Sequence, residues 1–443
     1  MAPRKIRPRV RDSILNALSA GVVPATGLQY VQVGRAPEVK AILRSIDSVA
    51  DGGSVFKLIV GDYGAGKTFF LHLVRQLAFE YKLITVHADF SPERRLVASS
   101  GQARNLYAEL ISNMSSRSKP EGGALGSIIE MFVAQAIQDA NSEGISADTL
   151  IEKRLSPLQE LVGGWDFAKV LASYCRGHEQ GDDALKMAAM RWLKGEYTTK
   201  TDARKDLDVR TIIDDGMFYD AIKLMTRFVT IAGHGGLFVM LDEAVNLFKI
   251  ANSQSRTLNY EMILRILNDT LQSGSGAQNL GMLIGITPEA LFDPRRGLCS
   301  YDALASRLAP NKFAAQSGLV DFNQPTIHLQ NLTPEELYLL LSNIRNVFAG
   351  GDPEAYLIED EGLQAFMEHC HKNIGAAYFK TPRETVRGFV NLLSMLDQYT
   401  DRHWSNFIDK VSIAEDLCPS TEPVDDNSDD RRQGDNELAN FTL

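Results

Sequence analysis

"VGDYGAGKT", residues 60–68, lies between two apolar runs, "VFKLIV" and "FFLHLV". Gly61, Gly66, Lys67 and Thr68 match the spacing G-x-x-x-x-G-K-[ST]. Glycines let backbone amides curl around phosphate oxygens with no Cβ in the way. Lys67 adds a positive charge for β- and γ-phosphates, and the Thr68 hydroxyl suits Mg²⁺. "VFKLIV" reads as a β-branched strand, and no helix breaker follows Thr68 until Pro92. Strand, loop and helix in that order aim a helix N-terminus at an anion. Gly61, Asp62, Tyr63, Gly64, Ala65 and Gly66, with Lys67, Thr68 and Phe69, are therefore the expected cradle for ATP with Mg²⁺. A glycine-rich turn matching by chance is the competing reading.

Further strand runs are "KLITVHADF" (82–90), "GLFVMLDEAVNL" (236–247), "NLGMLIGITPE" and "TIHLQNL". They are nearly continuous in apolar character, as buried parallel strands are. Helical spacing marks "GQARNLYAELISNM" (101–114), "FYDAIKLMTRFVTIAG" (218–233) and "YEMILRILNDTLQSG" (260–274). Residues 117–215 hold helical stretches and no clear strand, and read as an insertion. After "TIHLQNL" the chain reads as helices only. "LQYVQV", ahead of a turn at Gly34–Arg35, reads as strand-like. The expected class is α/β: a P-loop NTPase with a parallel five-stranded sheet, a large helical insertion and a C-terminal α-helical lid. The expected division is a basic N-terminal arm and short helix over 1–29, an ATPase core over 30–329, a helical lid over 330–410 and an acidic tail over 411–443.

ATP hydrolysis needs an acid for the metal shell and another to activate water. "FVMLDEA" places Asp242 and Glu243 straight after an apolar strand, where ligands of open parallel sheets sit. Asp242 would serve the metal with Thr68, and Glu243 would polarise water; an acidic helix N-cap is the alternative. Thr287, ending the next strand, suits orienting water or γ-phosphate, or else a Thr-Pro turn. Arg307 in "ASRLAP" is a candidate to reach a neighbouring subunit's γ-phosphate, with Arg295 and Arg296 in "DPRRG" as competitors. Arg383 in "KTPRETVRG" is placed to fold over the nucleotide. A solvated surface arginine is the alternative for each.

The 443 residues carry a net charge of −10, concentrated in "EDLCPSTEPVDDNSDDRRQGDNELANFTL", a stretch expected to be disordered. "MAPRKIRPRVRD" is basic but has no apolar segment behind it, so it does not read as a secretory signal. No apolar run is long enough to span a bilayer. Four cysteines without a C-x-x-C pair suit a reducing cytoplasm and argue against structural zinc. No DNA-reading motif is present; the basic arm is a local candidate for contacting DNA.

"VGRAPE" (33–38), "GDYGAGKT", "VMLDEA", "GITPE", "SRLAP" and "TPRE" together resemble the AAA+ ATPases, in the initiator-like branch shared with Orc/Cdc6 proteins and near STAND switches. Within it, "GAGKTFFLHLVRQLA", "DFSPERRL", "RWLKGE" and "NYEMILRILND" resemble the BREX-system ATP-binding protein family, BrxD and the BrxC ATPase core. The resemblance implies an oligomeric ATPase of bacterial anti-phage defence, working beside a helicase or on DNA. It also implies Val33, Gly34 and Arg35 near the adenine or ribose, and Arg307 acting in trans. The long span from Lys67 to Asp242 departs from a minimal AAA+ core. A nucleotide-gated switch with slow turnover and a P-loop kinase are the other function classes. The Asp-Glu pair and the C-terminal helices speak against the kinase.

Overall fold

The computed structural model describes residues 5–272, 274, 276–374 and 382–411. The acidic tail, except for Val411, Thr381 of "TPRE" and the first four residues of the basic arm lie outside them. Five strands form one all-parallel sheet: β1 (Val55–Val60), β2 (Ile84–Asp89), β3 (Leu237–Asp242), β4 (Leu280–Ile286) and β5 (Thr326–His328), in the order β2-β3-β4-β1-β5. Both faces are covered, which is why the runs are continuously apolar. Phe56, Leu58, Val60, Val239, Leu241, Met282 and Ile284 point into one core. Ile59, Phe238, Met240 and Leu283 point into the other, under α2 (Ala36–Ala50) and α3 (Lys67–Glu80). The two-residue alternation of a pleated strand makes this division.

Between β2 and β3 come only helices among the described residues: α4 (Gln102–Ser112), α5 (Leu125–Glu143), α6 (Ala147–Leu155), α7 (Gly164–Gln180), α8 (Asp183–Leu193), α9 (Lys200–Leu207) and α10 (Phe218–Ile231). They do not form a detached lobe. Their apolar faces share one contiguous core with the sheet, with Phe132 edge-on to Phe228 at 5.7 Å and Phe167 edge-on to Trp192 at 5.9 Å.

Short helices α11 (Val245–Phe248), α13 (Pro288–Phe292), α14 (Asp302–Leu308) and α15 (Lys312–Gln316), and the longer α12 (Ser253–Leu271), fill the chain between β3 and β5. Lys57, in the middle of β1, is 7% exposed. Burying an ammonium is costly unless its donors are satisfied. Its Nζ donates to the Phe322 and Asn323 carbonyls at 3.0 Å each, and to that of Gln324. The lysine thereby fixes the loop that leads into β5.

A third core is purely helical. It joins α16 (Pro334–Phe348), α17 (Asp360–Ile374), α18 (Pro382–Gln398) and α19 (Ser405–Ile408) to the chain's first helix, α1 (Pro8–Ser19). "TPEE" starts α16 with a reciprocal capping box between Thr333 and Glu336. The N-terminal segment, read as a basic arm and short helix, holds the helix α1 and is packed down ahead of it. Pro8 occupies the first helical turn, and Ile6 is buried with its N–H donated to Gly350 O at 2.9 Å. Ile6, Val10 and Ile14 recur every four residues and pack against the C-terminal helices. The intervening arginines mask that period. "LQYVQV" is corrected: Leu28–Tyr30 is a 3₁₀ turn, with Leu28 and Val31 buried separately rather than alternating across a sheet.

Candidate functional site

The loop after β1 turns tightly enough to start α3 at Lys67. Gly64 and Gly66 adopt φ of 81° and 85°, a region L side chains rarely enter, and this is what the glycines supply. Gly66 caps α3 without a side-chain bond, leaving first-turn amides free to meet an anion. Lys67 Nζ donates to the Gly61 and Asp62 carbonyls, each at 2.9 Å. Burial lowers the Lys67 pKa, against the opposing pull of Asp242, Glu243 and Asp62.

Asp242, at the carboxyl end of β3, is 6% exposed. Its Oδ2 accepts from Thr68 Oγ1 at 2.6 Å, and its Oδ1 accepts from Glu243 N–H at 2.8 Å. Thr68 and Asp242 come from different elements and meet through the parallel placement of β1 and β3 around β4. A hydroxyl and a buried carboxylate are hard oxygen donors of the kind Mg²⁺ prefers, so the pair fits that ion. Glu243 holds φ of 57°, an uncommon conformation for a side-chain-bearing residue. Burial, then Asp242, raises the Glu243 pKa, and Lys67 opposes the rise.

Around these groups opens a cleft of about 1240 Å³, solvent at its mouth included. Tyr63, Gly64, Ala65, Gly66, Lys67, Thr68 and Phe69 line it, as do Val33, Arg35, Glu243 and Arg383. Gly61, Asp62, Gly34 and Asp242 are not among the residues that line it; Gly61 and Asp242 are buried, and Gly34 and Asp62 are exposed. Gly34 is pressed against α16, where an added Cβ would lie 2.2 Å from Glu336 Oε1. Arg35 braces the phosphate loop: its Nη2 donates to Ala65 O at 3.0 Å and to Gln330 O. Arg383, on α18, reaches across the cleft; its Nη1 lies 3.2 Å from the Tyr63 hydroxyl, and its guanidinium carbon 5.7 Å from the ring centre.

The other expected residues lie outside the cleft lining. Thr287 caps α13 by accepting from Ala290 N–H at 3.4 Å. Arg307, on α14, donates to Asn268 Oδ1 at 2.7 Å and Ala303 O at 2.9 Å while remaining exposed. Arg296 is held inside its own chain, donating to Phe248 O and Ile250 O at 3.1 and 3.0 Å. Arg295 is exposed, its backbone N–H bonded to Asp293.

Several site residues escaped sequence reasoning. Leu18, Val22 and Val23 reach the cleft from α1 and its following loop, and Leu340 and Val386 from the C-terminal helices. Nothing local in the sequence links stretches so far apart. Asp89 is different. It ends β2 in register with Asp242, and its acid-at-strand-end signal in "HADF" was readable. Desolvation, then the Asp242 charge, raises its pKa. Gly285 is the third: a Cβ there would meet Asp242 Oδ1 at 2.3 Å. Gly285→Ala is expected to cost about 1–3 kcal/mol of stability as an overpacked site, read as a lower melting temperature. An unchanged melting temperature would show that the carboxylate swings clear freely.

The fold and site are those of a nucleotide-binding protein, and they fit the P-loop class. The family model for the BREX system ATP-binding protein BrxC/D matches residues 6–412, and the chain belongs to that family. No curated protein matched the chain. No helix among the described residues is long and apolar enough to cross a membrane.

Proposed function

We propose that this ATP-binding protein is an AAA+ ATPase that hydrolyses ATP with Mg²⁺ in anti-phage defence, in the cytoplasm, acting on DNA or with a helicase partner. The observation carrying the reading is the 2.6 Å pairing of Thr68 with a buried Asp242, with Glu243 beside it on the wall of the phosphate cleft. In this reading the core spans 30–329 and the helical lid 330–410. The loop amides and Lys67 bind the phosphates, while Thr68 and Asp242 hold Mg²⁺, which would supply charge neutralisation at the phosphate oxygens. Glu243 accepts the proton of the attacking water. Its raised pKa suits a base made more proton-attracting by burial. Exposed Lys5, Arg7 and Arg9 at the start of α1 are the proposed DNA contact. ATP turnover with and without duplex DNA tests the reading. Stimulation by DNA supports it, and turnover indifferent to both DNA and Glu243 refutes it.

Arg307 bonds to the neutral groups of Asn268 and Ala303 and lies outside its own chain's cleft, which supports a role at a neighbour's site in a homo-oligomer. Removing it should lower turnover while leaving ATP affinity nearly intact, because such a charge acts mainly on the transition state. Arg307→Ala chains mixed with Lys67→Ala chains should regain part of the activity each lacks alone. Failure of mixing, with Arg307→Ala fully active by itself, would remove the shared site.

A second reading, a STAND-like nucleotide-gated switch with slow turnover, is favoured by one observation. The cations on the cleft wall, Lys67, Arg35 and Arg383, are already engaged by groups of the phosphate loop itself. Tight retention of ATP with negligible hydrolysis would select it.

A further inference from the structure

Tyr63 occupies a variable position of the phosphate loop, where the glycine–lysine pattern requires no particular side chain. Here it carries an aromatic ring and a hydroxyl, and both face Arg383. The hydroxyl lies 3.2 Å from Nη1, and the guanidinium carbon sits 5.7 Å from the ring centre. The arginine's stem passes Gly21, where an added Cβ would lie 3.5 Å from Arg383 Cδ and Cγ. The arginine is thus confined between the loop after α1 and the phosphate loop. Tyr63 and Arg383 line the same cleft from opposite walls, one from the sheet and one from the helical core. Their contact ties the phosphate loop to α18 across the cleft.

We infer that Tyr63 is a latch: its hold on Arg383 competes with a nucleotide phosphate, which binds by displacing it. This rests on the proposed role of the cleft as the ATP site. The exchange has a favoured direction. A guanidinium and a phosphate pair opposite charges and can form two parallel hydrogen bonds, whereas the tyrosine hydroxyl offers a single neutral acceptor. A cation 5.7 Å from the centre of a half-buried ring adds only modestly. The phosphate therefore wins, but the latched fraction of molecules must open first. The apparent affinity is lowered by that fraction, while the affinity of the open form is unchanged. The latch slows association and leaves dissociation alone, because the bound nucleotide no longer sees it.

The test is binding of a fluorescent ATP analogue to the full chain by stopped flow, with Tyr63→Phe, Arg383→Ala and the double variant. Tyr63→Phe keeps the ring and removes the hydroxyl. It should raise the association rate about three- to tenfold, the range of one modest net hydrogen bond, with an unchanged dissociation rate. In the Arg383→Ala background the same substitution should change neither rate, since no latch remains. A purely structural role for Tyr63 would instead lower the melting temperature and speed dissociation. Slower association of Tyr63→Phe, or an equal gain with and without Arg383, overturns the latch. The two levels separate cleanly. If Lys67→Ala binds the analogue as wild type does, the cleft itself is misassigned. If Lys67→Ala fails to bind and Tyr63→Phe behaves as wild type, only the latch is wrong.

Discussion

Lys67→Ala should abolish ATP binding or weaken it by at least about a hundredfold. Two terms add. The loop positions one side-chain ammonium at the start of α3, and a hydrogen bond to a charged partner contributes about 1.5–3 kcal/mol net. Near the charge of a triphosphate in a partly desolvated cleft, the loss falls at the upper end, and every ~1.4 kcal/mol is tenfold. The substitution leaves the backbone free to keep its shape. Gly64 and Gly66 set the turn, Arg35 still braces Ala65, and Lys67 contributes only bonds to the Gly61 and Asp62 carbonyls. Thermal unfolding of the variant should therefore stay close to wild type while calorimetric titration with ATP shows no heat of binding. Wild-type affinity in that titration would mean that the nucleotide sits elsewhere.

Glu243→Gln should keep ATP bound and lower its hydrolysis about 10²- to 10⁴-fold, the usual contribution of a positioned general base. The amide is nearly isosteric, so the unusual backbone at φ 57° and the N–H bond to Asp242 Oδ1 persist. What disappears is the proton-accepting carboxylate, whose basicity burial has raised. Because the variant would trap the ATP-bound form, it should also accumulate whatever assembly ATP favours, visible by light scattering. Turnover equal to wild type would leave Glu243 as a helix-entry residue, and would turn attention to Asp89, across β2 and β3 from Asp242.

What the sequence made legible followed how local each feature was. The strand–loop–helix around Lys67 and the Asp242–Glu243 pair at a strand end are contiguous patterns, and spacing alone located them. The five strands were readable because each is a short apolar run. The order β2-β3-β4-β1-β5 was not, since nothing in "TIHLQNL" says that it lies beside "VFKLIV". Lys57 in a buried strand gave no sign that loop carbonyls would receive it. Gly285 was silent because its importance depends on a carboxylate from another strand. "LQYVQV" misled because β-branched residues mark burial as much as extension. The N-terminal basic residues drew attention to charge, whereas Ile6, Val10 and Ile14 decide where that segment goes.

The Ile6 N–H bond to Gly350 O and the packing of α1 against α18 join the start of the described chain to its C-terminal helices. This has a consequence for synthesis. Leu18, Val22 and Val23 are made long before Val386, yet they wall one cleft. During translation the phosphate loop and sheet can assemble while the first helix still lacks its packing partners. That helix exposes Ile6 and Ile14 until α16 to α18 leave the ribosome. Closing so long a chain segment is a late, slow event of high contact order. The cleft thus comes into being only once α18 has been made. A chain cut before α18 would carry an intact phosphate loop and still lack the far wall of this cleft.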